Sequence, residues 1–238
     1  MPDPKVSVII PAYNEEECIE DCVDEVCEVL NRLGDTYEVI VVDDGSTDST
    51  FEHLRTLKAR HPQLRAIRFE RNCGETAGWD AGFKHARGEF VVTVDADLQN
   101  DPADIPRMLA LMNEWDGVGG VRAVRNDSLL RRISSRIANW VRNKLTHENV
   151  QDVGCSLRVV RAEYVKRVKL FKGMHRFMPT LLALEGCRIT EIPVNHRPRP
   201  RGQSKYGVWN RLFRGLHDLF AVRWMISRHI DYKIKQEL

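Results

Sequence analysis

Four short apolar runs, at residues 6–10, 39–42, 66–69 and 90–94, alternate with stretches of helical pattern, and each run gives way to a polar or acidic cluster. This constrains the fold more than any other feature. Parallel strands cannot be joined by tight hairpins; they need long crossovers, and the helical stretches at 16–33, 47–60 and 76–87 supply them. The expected class is therefore α/β, with a mainly parallel sheet flanked by helices. Ligands of such sheets gather outside the carboxyl ends of the strands, so the residues just after each run are the candidates for chemistry.

The second half is less regular. Residues 129–145 read as a basic helix, 156–160 as a strand, 175–185 as a helix and 188–194 as extended. A Pro- and Arg-rich loop follows at 196–206, where proline excludes regular helix. From Gly207 a helical pattern returns, with Trp209, Leu212, Phe213, Leu216, Leu219 and Phe220 expected on one apolar face. The expected organisation is one domain over 1–205 and a C-terminal amphipathic basic helical segment over 206–238.

The net charge of +2 conceals a strong asymmetry. Residues 1–60 hold 15 acidic and 5 basic side chains, whereas 196–238 hold 10 basic and 3 acidic. A basic end suits a phosphate-bearing substrate or an anionic membrane surface. Nucleic acid is not expected, because no recognised nucleic-acid motif accompanies the charge. No window approaches the roughly 20 apolar residues that a membrane span requires. The six cysteines form no CxxC pair and no signal-peptide pattern precedes them, so reduced, structural thiols in a cytoplasmic protein are expected.

The strongest chemical signal is Asp95-Ala96-Asp97-Leu98-Gln99, at the end of the fourth run. Strand alternation puts Asp95 and Asp97 on one side, and hard oxygen donors at this density suit Mg²⁺ or Mn²⁺ with diphosphate oxygens completing the shell. The second run ends Asp43-Asp44-Gly45-Ser46, where carboxylates can accept hydrogen bonds from a base or ribose and Gly45 allows a close turn beneath a ligand. After the first run, Tyr13 can stack on a base and Glu15 can accept from its edge. After the third, Arg71 can meet a phosphate, and Gly74, Gly78 and Gly82 recur at helical spacing. The segment lacks the G-x-G-x-x-G dinucleotide fingerprint.

Taken in order, residues 11–15, 43–46, 71–88, 95–99 and Gly202-Gln203-Ser204-Lys205-Tyr206 resemble glycosyltransferase family 2. Within it they resemble the group of dolichol-phosphate mannose synthases and undecaprenyl-phosphate glycosyltransferases. The resemblance spans residues 5 to about 228. It implies a GT-A nucleotide-sugar-binding fold and an inverting transfer of a hexose from GDP-mannose or a UDP-sugar to a polyprenyl phosphate. It places Pro11, Tyr13, Glu15, Asp43, Asp44, Arg71, Gly74, Asp95 and Ser204 around the nucleotide sugar. Asp97 and Gln99 become the ligands of Mg²⁺ or Mn²⁺. Asp95, Asp97, Asp152, Arg199 and Lys205 become the catalytic set, and Arg122, Arg125, Arg131 and Arg132 the binders of the acceptor phosphate. Because the acceptor is a lipid, the resemblance also implies a peripheral protein at the cytoplasmic face of a membrane, alone, as a homo-oligomer or beside a membrane-protein partner. Asn100-Asp101-Pro102-Ala103 departs from the two prolines the group often carries after the glutamine; Asp101 is expected to cap a helix beginning at Pro102. Two alternatives remain: the same fold acting on a glycan hydroxyl, which would need a general base, and a nucleotide-sugar-binding module whose site has decayed.

Overall fold

The computed structural model describes residues 3–123, 143, 144, 150–199, 208–230 and 236, with backbone course alone for 208–216. Strands β1 (Val6–Ala12), β2 (Tyr37–Asp43), β3 (Leu64–Arg68) and β4 (Phe90–Thr93) alternate with helices α1 (Ile19–Leu33), α2 (Thr50–Arg60) and α3 (Glu75–His85). Then follow α4 (Ile105–Ala110), β5 (Gly117–Arg122), β6 (Arg158–Arg161), α5 (Ala162–Arg167), α6 (Met178–Leu184), β7 (Ile189–Val194) and α7 (Val208–Arg228). The strands form one sheet in the order β3-β2-β1-β4-β6-β5-β7. Pairing is parallel throughout except at β6, which runs antiparallel to both β4 and β5.

The strands β1, β2 and β4 at the centre are buried on both faces, as crossover helices require. On one side Val8, Ile10, Val39 and Val41 pack with Val23, Val26 and Leu30 of α1 and Met108 of α4. On the other, Ile9, Ile40 and Val42 pack with Trp79 and Phe83 of α3 and with Leu181 and Leu182 of α6. Helix α1 buries Ile19, Cys22, Val23, Val26, Cys27 and Leu30, the i, i+3, i+4 pattern of one stripe. It stops at Gly34, whose φ of 78° and N–H bond to Leu30 O (3.2 Å) form a left-handed cap. Gly82 of α3 lies directly against Ile9 of β1, and a Cβ on Gly78 would stand 2.9 Å from Pro11 Cβ. The glycine repeat is thus used largely for close helix–strand packing.

Several segments differ from the sequence expectation. Strand β5 was not legible, because glycine occupies three of its six positions and glycine has low strand propensity. The reason is crowding: a Cβ on Gly120 would meet Val194 Cγ2 at 2.8 Å and Cys155 Sγ at 2.9 Å. The expected helix at 175–185 is a 3₁₀ turn, Met174–Phe177, followed by α6, with Pro179 in the first turn of the new helix. The single apolar face expected for the C-terminal helix divides. Leu219 (6 % exposed) lies in the same core as α3 and α6, whereas its neighbour Phe220 is 62 % exposed. Adjacent helical residues stand about 100° apart, so one can pack inward only if the other turns away. The side chains of Trp209, Leu212, Phe213 and Leu216, and the basic helix at 129–145 apart from Asn143 and Lys144, lie outside the described residues.

The topology fixes the place of the cleft. From β1 the chain winds outward through β2 to β3, then crosses to β4 on the other side of β1. The crevice beyond the carboxyl ends of β1 and β4 is therefore the point where connections diverge, the usual ligand position in an open α/β sheet.

Candidate active site

The loops after β1 and β2 are joined by hydrogen bonds. Asn14 N–H donates to Ser46 Oγ (2.9 Å), Thr47 N–H to Asn14 Oδ1 (2.8 Å), and Glu15 N–H to Thr50 Oγ1 (2.9 Å). Asn14 takes a φ of 53°, which costs a non-glycine residue energy that these bonds offset. Pro11, Tyr13 and Glu15 are consequently fixed along one rim of the crevice, each partly exposed.

Asp43 and Asp44 sit inside the protein, 0 % and 3 % exposed. Asp44 accepts from Asn72 Nδ2 (2.9 Å), Cys73 N–H (2.6 Å) and Gly74 N–H (2.8 Å), so it shapes the loop from β3 to α3. Burial pushes its pKa up against the pull of the two amides. Asp43 Oδ1 accepts from Ser46 N–H (2.9 Å), while Oδ2 lies 3.2 Å from Arg68 Nε with no aligned donor. Gly45 turns closely against protein: at φ 70°, an added Cβ would stand 2.5 Å from the carbonyl carbon of Arg71. The Arg71 side chain itself is exposed at the cleft edge, and Gly74 begins α3.

Past β4, Asp95 lies beside Ser156, whose Oγ donates to Asp95 Oδ2 (2.6 Å) and lies 2.8 Å from Asn100 Oδ1. Asn100 Oδ1 also accepts from Asp95 N–H (2.9 Å). Burial, then the charges of Glu75 and Asp97, push the Asp95 pKa up to about 7. Asp97 Oδ1 accepts from Gln99 N–H (3.1 Å), and Leu98 between them takes a φ of 63°. The left-handed residue reverses the chain so that both flanking side chains stay at the strand end. Among the described residues Asp97 Oδ2 and Gln99 Oε1 accept no hydrogen bond. A carboxylate oxygen and an amide oxygen left in hand, two residues apart, fit a hard divalent cation whose other ligands come from diphosphate and water.

The loop beyond β7 is laid across this motif. Asn100 and His196 form an isolated bridge, and Arg197 N–H donates to Gln99 O at 2.9 Å. Arg197 is pinned by Glu25 (2.7 Å) and Asp101 (2.8 Å). Asp101 also caps the turn at Pro102, accepting from Ala103 N–H (3.1 Å), as the sequence indicated. Arg199 then reaches Glu15 with one nitrogen 2.8 and 2.7 Å from the two carboxylate oxygens, closing the rim opposite Asp97. Ser204 and Lys205 lie outside the described residues, as do Arg125, Arg131 and Arg132.

Asp152, side chain 3 % exposed, is gripped by Arg122 through Nε to Oδ2 (2.7 Å) and Nη2 to Oδ1 (2.8 Å). Arg122 is thereby placed as the partner of Asp152. Beneath them Arg158 donates to Val153 O (3.0 Å), and burial lowers its pKa despite the nearby Cys155, Asp95, Asp152 and Glu191. Sequence reasoning gave no role to Ser156, Arg158, Glu75, Thr76 or His175, because each reaches the site through tertiary contact.

The family model for Glycosyl transferase family 2 matches residues 7–169. The chain belongs to that family. It is a glycosyltransferase, and its sheet of seven strands carries the mixed α/β architecture expected of a GT-A fold. Among its relatives is the dodecaprenyl-phosphate galacturonate synthase of Rhizobium johnstonii, 40 % identical over 228 residues, covering 93 % of this chain and 67 % of that protein. Another is the undecaprenyl-phosphate 4-deoxy-4-formamido-L-arabinose transferase of Edwardsiella ictaluri, 38 % identical over 217 residues, covering 90 % and 66 %. The chain spans about two thirds of the length of these curated relatives. Among solved structures, the mannosyltransferase of Pyrobaculum calidifontis in complex with GDP-Man and Mn²⁺ aligns with a TM-score of 0.66 at 22 % identity, covering 98 % of this chain and 66 % of that one. The glucosyl-3-phosphoglycerate synthase of Mycobacterium tuberculosis with Mg²⁺ and UDP aligns with a TM-score of 0.71 at 18 % identity, covering 96 % and 81 %. At these identities the structural likeness speaks to the fold.

Proposed function

We propose that the chain transfers a sugar, with inversion, from a nucleotide-sugar donor to a polyprenyl phosphate. The observation that carries this reading is the pair Asp97 and Gln99 at the switch point of the sheet, oxygens in hand, beneath the Arg199 loop. The polyprenyl-phosphate acceptors named for the two curated relatives support the choice of acceptor. Asp97 and Gln99 would hold Mg²⁺ or Mn²⁺, which when bound supplies Lewis-acid stabilisation of the departing diphosphate. Pro11, Tyr13 and Glu15 would line the nucleoside, with Asp43 and Asp44 acting from beneath through the loops they hold. Arg199, and Lys205 beyond the described residues, would add positive charge where the leaving group gains negative charge.

Asp152 has a role that its partner defines. A phosphate nucleophile is already ionised at neutral pH and needs no strong base. A carboxylate with both oxygens on Arg122 suits that situation, since it can orient the acceptor side but is poorly placed to take a proton. The same pairing weighs against a hydroxyl acceptor, which would require a free base. Acceptor phosphate binding falls to the Arg125, Arg131 and Arg132 segment, with Arg122 holding its edge.

Among the described residues no helix is long and apolar enough to cross a membrane. We place the chain peripherally at the cytoplasmic face, with the exposed Phe220 and Trp224 of α7 and the neighbouring Arg223 and Arg228 toward lipid. The test is a screen of radiolabelled GDP- and UDP-sugars with Mn²⁺ and undecaprenyl or dodecaprenyl phosphate, scored by label entering the organic phase. Transfer that EDTA abolishes is the expected result. Label that reaches only water-soluble glycan, or undiminished transfer in EDTA, would overturn the reading.

A further inference from the structure

Glu75 is the first residue of α3, and its carboxylate does not cap the helix. Instead Trp79 Nε1 approaches Oε1 at 3.5 Å and His175 Nε2 approaches Oε2 at 3.4 Å. The imidazole is itself held from behind: Nδ1 lies 2.7 Å from Thr76 Oγ1, and that oxygen accepts from Gly173 N–H at 3.0 Å. Thr76 is 6 % exposed, so the arrangement behind the carboxylate is an interior one. The front of Glu75 is open, with its side chain 40 % exposed.

That front shares the crevice with Asp95. Glu75 follows Gly74, whose N–H donates to Asp44 at 2.8 Å, and Gly78 one turn on lies against Pro11, so the start of α3 stands at the carboxyl ends of β1 and β2. Burial lowers the His175 pKa, which favours a neutral imidazole, and a neutral ring 3.4 Å from Glu75 does not cancel its charge. Among the described residues the cations near this side include Arg158, which also faces Asp95, Asp152 and Glu191, Arg176, beside His175, and Lys172, which acts on Asp44. The wall between α3 and β4 therefore presents the acceptor oxygens of Glu75 and Asp95 to whatever group would lie beside a diphosphate held at Asp97 and Gln99. If the donor is a nucleotide sugar, as proposed above, that group is the transferred sugar.

We propose that Glu75, held by His175 and Trp79, selects the transferred sugar, accepting hydrogen bonds from its hydroxyl or amino groups and disfavouring a uronate. The relative named for galacturonate transfer makes this a discriminating claim about the present chain. A fixed carboxylate facing a sugar carboxylate is a like-charge juxtaposition, and such contacts decide partners more than they decide affinity for the rest of the ligand.

Two matched donor pairs test it: UDP-glucose with UDP-glucuronate, and GDP-mannose with GDP-mannuronate. The members of each pair differ only in oxidation at C6. Binding to the full 238-residue chain is measured calorimetrically with Mn²⁺, and free UDP and GDP report the integrity of the nucleotide site. The wild-type chain should bind the neutral member of the pair it accepts at least about ten-fold tighter than the uronate. Glu75→Gln should reduce that ratio to within about three-fold, chiefly by gaining affinity for the uronate, with free nucleotide affinity retained. Equal binding of the two members by the wild type, or an unchanged ratio in Glu75→Gln with nucleotide affinity intact, would overturn the inference. Because binding needs no acceptor, the ratio stands even if transfer to polyprenyl phosphate fails. A chain that binds neither pair would overturn both readings.

Discussion

Replacing Arg122 with Met removes the charge that holds Asp152 while keeping much of the side-chain volume. Breaking a buried ion pair by deleting one partner costs about 3–5 kcal/mol, because the remaining charge is left uncompensated. Here the loss is smaller. Arg122 is 17 % exposed at its side chain, and Asp152 keeps the amides of residue 122 and Gly154, each at 3.2 Å. A cost of about 2–3 kcal/mol is expected, the price of one hydrogen-bonded charge losing its bidentate partner. In a domain of this size each kcal/mol moves Tm by about 2–4 °C, so the variant should melt about 4–12 °C lower. Asp152→Asn should cost less, since the amide keeps the shape, and the double variant should fall short of additivity by at least about 1 kcal/mol. Calorimetry on the four proteins gives the cycle. The pH profile of kcat/KM supplies a second readout: if Asp152 orients rather than deprotonates, Asp152→Asn lowers the profile without deleting its acidic limb. An Arg122→Met protein that melts within about 1 °C of wild type would refute the energetic argument. Loss of the acidic limb in Asp152→Asn would refute the orienting role.

Asp97→Ala and Gln99→Ala should each abolish Mn²⁺-dependent donor binding and transfer while leaving Tm within a few degrees; metal-dependent binding that survives in both would remove the cation from this site. Glu38, 2 % exposed, is buried, which alone would raise its pKa, but Arg65 (2.6 Å), the Arg87 amide (2.8 Å) and side chain (3.0 Å), and Ser7 Oγ (2.8 Å) outweigh burial and hold it below the ordinary range. A carboxylate whose folded pKa is depressed contributes stability above its unfolded value of about 4.3, and that contribution is lost as pH falls through the folded value. Wild-type Tm should therefore drop as pH falls below about 4.3, and more steeply than that of Glu38→Gln; parallel slopes would contradict the assignment. Phe220→Ser with Trp224→Ser should weaken co-sedimentation with phosphatidylglycerol vesicles without lowering Tm, because both side chains are more than 60 % exposed; unchanged sedimentation would move the lipid contact elsewhere.

Local pattern carried a large share of this protein. The alternation of apolar runs with helical stretches determined the parallel sheet, since strand and helix periods are properties of neighbouring residues. The acidic clusters after those runs marked the candidate edge for chemistry, because a strand that ends in Asp95-Ala96-Asp97-Leu98-Gln99 must deliver them at one end of the sheet. The family resemblance extended the same logic to order and spacing. Tertiary structure decided what each residue was free to do. Asp43 and Asp44 read alike from the sequence as ligands of a nucleoside, yet the amides of Cys73 and Gly74 come to Asp44 only once β3 lies beside β2. Asp152 and Arg122 stand 30 positions apart and Thr76 and His175 stand 99 apart, so no window could pair them. Strand β5 was hidden because glycine suits its crowded surroundings rather than strand propensity. Leu219 and Phe220 were placed on one face by helical spacing and sent to different surroundings by the core that Leu219 meets. Periodicity is set within a few residues along the chain, whereas burial, charge pairing and the open side of Glu75 depend on which distant segments the sheet order brings together.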